Sequence, residues 1–442
     1  MVGGGIAGIL AARLLAARGV RVVVVDREDA LGGLFRSWQG GGGRWFDRGT
    51  HFALATGLPE LDALLLPRGE SDRWIRIEGK LAEGSWYGGM LNEDSGCVDL
   101  RRLPPDQLER ARAEIVATAT ATQGEAASAS LADEALRLYG PTIREAVIAP
   151  VMRKFTGASL ERLQAGLHRV FGLQRVILFD AETSRRVKAD PMLDQVVAFA
   201  HRSHYVSTQT KWYPCDGGIG RWVDDLTADF GSTGVETRLG RMVAGVESDG
   251  GRVTGVVLDD GTRLPADYLV WTVAAQLFLR ACGEPTGKPP AMRALALVHL
   301  AFDQPLRTGL QFVTCFDPDM LAHRITLYPN STRLLGQSIA PHLTVEVPVD
   351  PAAVDSGFAA RIAAEVRAMG IVPGDAEATL AHVELLRGTY PLIDPLDADR
   401  FRTDAARAAD LFPNVLLAGR DASGEHFQNG VLGGVWARLG DA

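Results

Sequence analysis

The chain has 442 residues, a length that predicts two or three domains. Hydrophobic residues make up 46% and charged residues 23%, a balance that excludes a disordered tail, a coiled coil and a fibre. The formal net charge of −8 provides no overall basic field, so we expect no nucleic-acid partner.

Cysteine spacing and apolar runs indicate the compartment. The four cysteines are scattered, which predicts free thiols and neither a disulfide framework nor a metal site. No apolar run reaches the ~18 residues of a membrane span, and no signal peptide is evident. We therefore expect a soluble, cytoplasmic protein that acts on a small molecule.

A glycine-rich turn opens the chain. It has the pattern G-x-G-x-x-G, and the apolar spacing after it predicts a helix over 6–18. A β-branched run over 20–25 then predicts a buried parallel strand. In dinucleotide-binding folds the glycines admit a pyrophosphate, the helix N-terminus attracts its phosphates, and an acid after the strand binds ribose. The predicted binding residues are Gly3, Gly5, Ile6, Ala7, Gly8 and Asp26.

The segment before this turn is short. Only Met1 and Val2 precede Gly3, whereas a strand of about five residues usually leads into such a turn. Either the first strand is short or the chain begins upstream of Met1. A short strand would hold the cofactor loosely.

Two further motifs follow, L-G-G-L-F-R-S over 31–37 and F-D-R-G-T-H over 46–51. With the glycine turn, they resemble the flavoprotein superfamily of amine oxidases, protoporphyrinogen oxidase and UDP-galactopyranose mutase. The resemblance implies an FAD whose pyrophosphate is wrapped by the first motif and whose flavin runs beside the second. It assigns the pyrophosphate to Arg36, because a guanidinium matches phosphate oxygens. The cofactor-binding residues implied here are Arg27, Gly32, Gly33, Leu34, Arg36, Gly49, Thr50 and His51.

Two later blocks support the same resemblance. Extended runs over 252–258 and 263–273 follow a segment in which the family places a valine backbone against the adenine. Near the end, a strand, a loop and a helix match the block whose helix N-terminus faces the flavin. Asn429 is the expected cap of that helix. The residues implied are Met242, Val243, Gly419, Arg420, Asn429, Gly430 and Val431.

The resemblance implies an α/β fold with a discontinuous Rossmann-like FAD-binding domain and an α+β substrate domain. We predict the FAD-binding domain over 1–80, 213–280 and 385–442, and the substrate domain over 81–212 and 281–384. Periodicity predicts helices over 104–118, 131–138, 141–151, 160–169, 192–201 and 352–369. It predicts strands over 295–302, 324–328 and 343–347.

No hydrolase, kinase or metalloprotease motif is present in the sequence. A flavoprotein needs none, because the hydride chemistry resides in the cofactor. His51 and Tyr390 are the candidate catalytic residues, as a titratable group near the flavin and an aromatic lining its face. Arg153 and Lys154 lie in a segment that weakly resembles the mutase branch.

The predicted function is FAD-dependent oxidoreduction, as an oxidase or dehydrogenase that moves a hydride from a small molecule to flavin N5. One alternative is a redox-neutral, flavin-dependent enzyme similar to the sugar-nucleotide mutase. Another is a degenerate homologue whose FAD is structural or lost. The sequence does not indicate the substrate, the electron acceptor or the oligomeric state.

Overall fold

The computed structural model describes residues 1–67, 71–121, 130–207, 209–332, 341–392, 394–420, 425 and 427–440, without the side chains of 119–121 and 389–391. Its helices are α1 (Ile6–Ala16), α2 (Pro59–Leu65), α3 (Pro105–Ala121), α4 (Leu131–Ile143), α5 (Ala149–Thr156), α6 (Leu167–Val170), α7 (Ala181–Val187), α8 (Pro191–Val196), α9 (Gly220–Thr227), α10 (Ala275–Ala281), α11 (Phe358–Ala368), α12 (Pro395–Asp410) and α13 (Gln428–Leu439). Across these ranges, no helix is both long and apolar enough to cross a bilayer.

The strands of the same ranges form several sheets. They are β1 (Val22–Asp26), β2 (Ser37–Gln39), β3 (Trp45–Asp47), β4 (Ala53–Leu54), β5 (Trp74–Ile77), β6 (Glu83–Tyr87), β7 (Met90–Asn92), β8 (Val98–Asp99), β9 (Val176–Ile177), β10 (Lys211–Pro214), β11 (Val235–Leu239), β12 (Val243–Asp249), β13 (Arg252–Leu258), β14 (Arg263–Pro265), β15 (Leu269–Trp271), β16 (Ala291–Phe302), β17 (Phe312–Cys315), β18 (Arg324–Leu327), β19 (His342–Val349), β20 (Ala378–Leu392) and β21 (Val415–Leu417).

A parallel sheet carries the N-terminal glycine turn. β1 pairs with β11, β15 pairs with β21, and residues 1–3 lie between β1 and β15. Val2 bridges Val25 on one side and Trp271 on the other, and its N–H donates to Val270 O over 2.9 Å. In this sequence the segment forms isolated bridges instead of a full strand. It nevertheless hydrogen-bonds to both neighbouring strands.

The helix α1 packs against this sheet and against α13. Ile6, Ile9, Leu10 and Leu14 are buried, and their helical spacing is the pattern that predicts this helix. The helix predicted over 6–18 is confirmed up to Ala16, and the strand predicted over 20–25 is observed as β1.

A second, seven-stranded sheet has the order β20-β16-β19-β18-β17-β6-β7. Because successive side chains of a strand point to opposite faces, each strand contributes to both sides. One face is apolar and packs against α11, and the residues of this contact include Val298, Val345, Val347, Phe358, Ile362 and Val366. The opposite face is buried but polar, and it carries His299, Arg324, Thr326, His342, Thr344 and Glu346.

Several predicted elements differ from the observed ones. The helix predicted over 192–201 ends at Val196, because Val197 bridges Val176 of β9. The helix predicted over 160–169 is interrupted, since Gly166 adopts a left-handed φ of 86° before α6. The helix predicted over 352–369 begins only at Phe358. The helices predicted over 104–118 and 131–138 are confirmed as α3 and α4.

The strands show one correction and one omission. The strands predicted over 295–302, 324–328 and 343–347 are confirmed as β16, β18 and β19. The extended run predicted over 263–273 is divided between β14, in an antiparallel sheet, and β15, in the parallel sheet. Strand β20 was not predicted, and it runs across the predicted 384/385 domain boundary. The division into two domains stays a prediction.

Candidate functional site

The glycine turn leaves the N-terminus of α1 open. A Cβ on Gly8 would lie 2.0 Å from Gly3 O, so the helix can approach the turn only without a side chain there. Gly5 precedes the helix, and no side chain caps the first turn. A Cβ on Gly5 would meet no atom within 4 Å. The N–H groups of the first turn lack intrahelical acceptors, so this end of α1 suits an anion.

Asp26 holds the turn in place from the end of β1. Its Oδ2 accepts from Gly4 N over 2.5 Å, and its Oδ1 accepts from Glu28 N over 2.8 Å. A carboxylate has about four acceptor positions, so acceptor capacity remains for a ribose hydroxyl. The Asp26 carbonyl accepts from Arg241 N over 3.0 Å. This bond brings the segment of Met242 and Val243 to the same edge of the sheet.

The second glycine pair packs directly on the first turn. Gly32 N donates to Gly4 O over 2.8 Å, and a Cβ on Gly33 would lie 3.4 Å from Gly5 Cα. Leu34 and Arg27 are exposed beside this contact. The side chain of Arg36 lies beside the Gly32–Gly33 pair. The first two sequence motifs therefore form one continuous surface.

The third motif lies against the polar face of the seven-stranded sheet. Thr50 N donates to Glu346 Oε1 over 3.0 Å, and the hydroxyls of Thr50 and Thr326 are 2.5 Å apart. Gly49 adopts a φ of 114° beside the same carboxylate, a conformation that favours glycine. Burial lowers the pKa of His51 below its usual 6.5, although the charge of Glu346 raises it. His51 is therefore neutral at pH 7.

The C-terminal block adjoins the first glycine turn. A Cβ on Gly419 would lie 2.6 Å from Thr272 O, and the Thr272 hydroxyl donates to Val2 O over 3.0 Å. Arg420 follows directly. The prediction that Asn429 caps α13 was wrong. The helix begins at Gln428, one residue before Asn429, and Phe427 occupies the cap position. The residues of its first turn include Asn429, Gly430 and Val431.

A comparison with known proteins identifies this arrangement. The sequence profile described as flavin containing amine oxidoreductase matches residues 6–435. The chain belongs to this family. The protein is also 63% identical to the carotenoid phi-ring synthase of Streptomyces griseus over 38 residues, which span 9% of this chain and 7% of that protein.

Solved structures share the fold of this chain. Reduced UDP-galactopyranose mutase is 17% identical, with 100% of this chain and 93% of that chain covered and a TM-score of 0.77. A putative protoporphyrinogen oxidase from Exiguobacterium sp. 255-15 is 14% identical, with 99% and 97% covered and a TM-score of 0.66. Putrescine oxidase bound to putrescine is 16% identical, with 100% and 97% covered and a TM-score of 0.62. At these identities the likeness establishes the fold alone.

In this family member, a buried carboxylate that the sequence did not single out connects the loops. Asp47 accepts from Ser37 Oγ and Tyr213 OH over 2.6 Å each, and from Ile219 N over 3.0 Å. Burial raises the pKa of Asp47 to about 6, although these three bonds lower it. Asp47 thereby ties the β2–β3 hairpin to β10 and to the start of α9. Its place in the F-D-R-G-T-H motif was the only available signal.

A charged bridge, also missed from the sequence, joins the glycine loops to the seven-stranded sheet. Arg48 lies 3.5 Å from Glu28 Oε2 and 2.5 Å from Glu384 Oε1. His299 Nε2 lies 3.9 Å from Glu384 Oε2. Burial raises the pKa of Glu384, but the bonds from His299 and Arg48 outweigh burial and lower it below its usual range. The bridge fixes the third motif on the sheet.

The remaining candidate residues are placed as follows. The backbone of Tyr390 belongs to β20, and its side chain lies outside the described residues. Lys154 donates to Cys315 O over 3.0 Å and to Asp317 O over 2.8 Å, while Arg153 is exposed. The weakly mutase-like segment therefore directs its lysine to main-chain carbonyls.

Proposed function

We propose that the protein is an FAD-dependent oxidoreductase that removes a hydride from a small molecule. The observation that carries the proposal is the open N-terminus of α1. The glycine turn, the Gly32–Gly33 pair and the loop at Gly419 pack around it. The space beside Gly5 and the free acceptor capacity of Asp26 fit a dinucleotide. When bound, FAD supplies a ring that accepts a hydride at N5.

Different residues around this space are proposed to bind different parts of FAD. The first turn of α1 and Arg36 would bind the pyrophosphate, because both present hydrogen-bond donors and positive charge. Asp26 would bind the ribose, and Met242 and Val243 would contact the adenine. The first turn of α13 would face the flavin.

We place the reaction beside His51 and Thr50, where Thr50 contacts Glu346 at the polar face of the seven-stranded sheet. His51 Nε2 lies 3.2 Å from Arg48 O. Because a carbonyl can only accept, Nε2 carries the proton and donates it, which leaves Nδ1 as an acceptor. A neutral His51 is then available to hold a proton released by the substrate.

We favour oxidoreduction over the redox-neutral alternative. In the segment that resembles the mutase branch, Lys154 donates hydrogen bonds to Cys315 O and Asp317 O. These bonds hold β17 and the turn after it. The oxidoreductase proposal requires no such lysine.

We predict that the purified protein carries noncovalent FAD and not FMN. The pyrophosphate loop and the ribose acid both require a dinucleotide. Flavin released by heating should therefore co-elute with FAD on chromatography. Release of FMN alone, or a colourless protein that fails to take up added FAD, would contradict the assignment. The second result would favour the degenerate homologue.

The type of reaction is tested on the same preparation. Under anaerobic conditions, a true substrate should bleach the visible flavin absorbance of the oxidised protein in a single turnover. A redox-neutral enzyme would leave the oxidised spectrum unchanged and turn over only after reduction with dithionite.

We also predict that Arg36→Ala weakens FAD binding more than Arg36→Lys does. Alanine removes a charge-assisted hydrogen bond of about 1.5–3 kcal/mol, whereas lysine keeps the charge and loses the forked geometry. Fluorescence titration of apoprotein with FAD measures both dissociation constants. Arg21→Ala, at the exposed start of β1, is the matched control. Unchanged affinity in both Arg36 variants would show that Arg36 does not contact the cofactor.

A further inference from the structure

We propose that Glu28 restrains cofactor loading: its carboxylate occupies the two arginines beside the glycine loops, and FAD must displace it to bind. This inference rests on the proposed function. It concerns residues of this chain whose contacts are described, and the family motifs do not require an acid at this position.

The backbone of Glu28 is fixed from two sides. Its N–H donates to Asp26 Oδ1 over 2.8 Å, and its carbonyl accepts from Gly240 N over 2.8 Å. The side chain is therefore anchored at the end of β1, next to the predicted ribose acid. Only its rotamer is free to change.

The Oε2 atom of Glu28 lies between two guanidinium groups, and its Oε1 atom is 3.7 Å from Nε of the exposed Arg27. Glu28 Oε2 is 3.3 Å from Arg36 Nη1 and 3.5 Å from Arg48 Nη1. The side chains of Arg36 and Arg48 are 21% and 17% exposed, against 37% for Glu28. The more exposed Glu28 side chain therefore contacts two arginines that are more buried than it is.

These arginines lie where a pyrophosphate would need them. Arg48 Nη1 is 3.5 Å from Gly33 O, and Gly33 packs on Gly5 at the open end of α1. Both cations already carry acidic partners, because Arg36 also contacts Asp29 and Arg48 also contacts Glu384. A pyrophosphate that enters this surface therefore meets like charge.

Glu28 is the acid that can yield. Asp29 reaches Arg36 from the solvent side and is 86% exposed. Glu384 is held on β20 between Arg48 and His299. Among the described residues, Glu28 is the acid that contacts both arginines, and rotation of its side chain removes one acidic partner from each.

We expect Glu28→Gln to lower the dissociation constant of FAD about 2- to 5-fold at low ionic strength, in line with the strength of partly exposed ion pairs. The gain should shrink as salt rises, because added ions screen the repulsion. Quenching of FAD fluorescence on binding to apoprotein measures the affinity without any substrate. Glu28→Asp, which keeps the charge but withdraws it from the arginines, should give a smaller gain.

Glu247→Gln is the matched control, since Glu247 pairs with Arg263 over 3.0 Å on another sheet and undergoes the same charge change. It should leave FAD affinity unchanged. If the natural protein binds FAD and Glu28→Gln binds it equally or more weakly, the restraint proposed for Glu28 is wrong. If the natural protein does not bind FAD, the proposed function itself fails. A thermal melt of each variant establishes that affinities are compared between folded proteins.

Discussion

Replacing Gly5 with alanine should abolish tight FAD binding and leave the fold intact. Gly5 has a φ of −72°, which any residue adopts, and an added Cβ would meet no protein atom within 4 Å. The methyl group would instead fill the space at the open end of α1. We expect the dissociation constant of FAD to rise at least about tenfold, the loss of one charge-assisted hydrogen bond. Titration of apoprotein and a thermal melt measure the two effects separately.

Gly8→Ala provides the contrasting control. Its Cβ would lie 2.0 Å from Gly3 O, a backbone atom that cannot move aside cheaply. We expect this variant to lose about 1–3 kcal/mol of stability or more, together with FAD binding. If Gly5→Ala retained natural FAD affinity, the pyrophosphate would not lie at this helix, and the proposed site would be wrong.

The second large effect concerns the pH dependence of stability through Asp47. Its pKa is about 6 in the folded protein, against the usual 3.8. A raised pKa means that the folded state holds a proton more tightly than the unfolded state. The corresponding stability is present below about pH 4 and is lost as the pH rises through 6. The loss approaches about 3 kcal/mol at neutral pH.

Asp47→Asn removes this titration. The free energy of unfolding of the natural protein, relative to Asp47→Asn, should therefore fall between pH 4 and pH 7. Urea denaturation of both proteins across this range measures the difference, in which other titrating groups cancel. Tyr213→Phe deletes a hydrogen bond that lowers the pKa of Asp47. The loss should therefore begin at the same pH, become larger and continue to higher pH. Parallel curves for the natural protein and Asp47→Asn would show that the pKa is not raised.

The parts of the site that could be predicted from the sequence depend on local signals. The glycine turn, α1 and β1 follow one another within a few residues, so periodicity and glycine spacing describe them together. The family resemblance added the second and third motifs. The structure brings these three motifs together and adds the C-terminal block at Thr272 and Gly419.

The parts that could not be predicted depend on pairing between distant segments. Arg48 meets Glu384, and Thr50 meets Glu346, only because β20 and β19 lie in the same sheet. Likewise, the burial of Asp47 depends on Tyr213 and on the start of α9. No local pattern reports these contacts. The missed strand β20 illustrates the same limit, since it is defined by its pairing with β16, which lies far away in the sequence.

The parallel sheet around residues 1–3 affects how the protein folds during its synthesis. Leu269 of β15 pairs with Val415 of β21, while β1 pairs with β11. Closing such long loops costs entropy before the strand pairs form, so the sheet is slow to assemble. During synthesis, the buried apolar strand β15 keeps one edge unpaired until residue 417 has left the ribosome. The glycine turn is therefore translated before the strand that pairs with β15, and the nascent chain exposes an aggregation-prone edge in the interval.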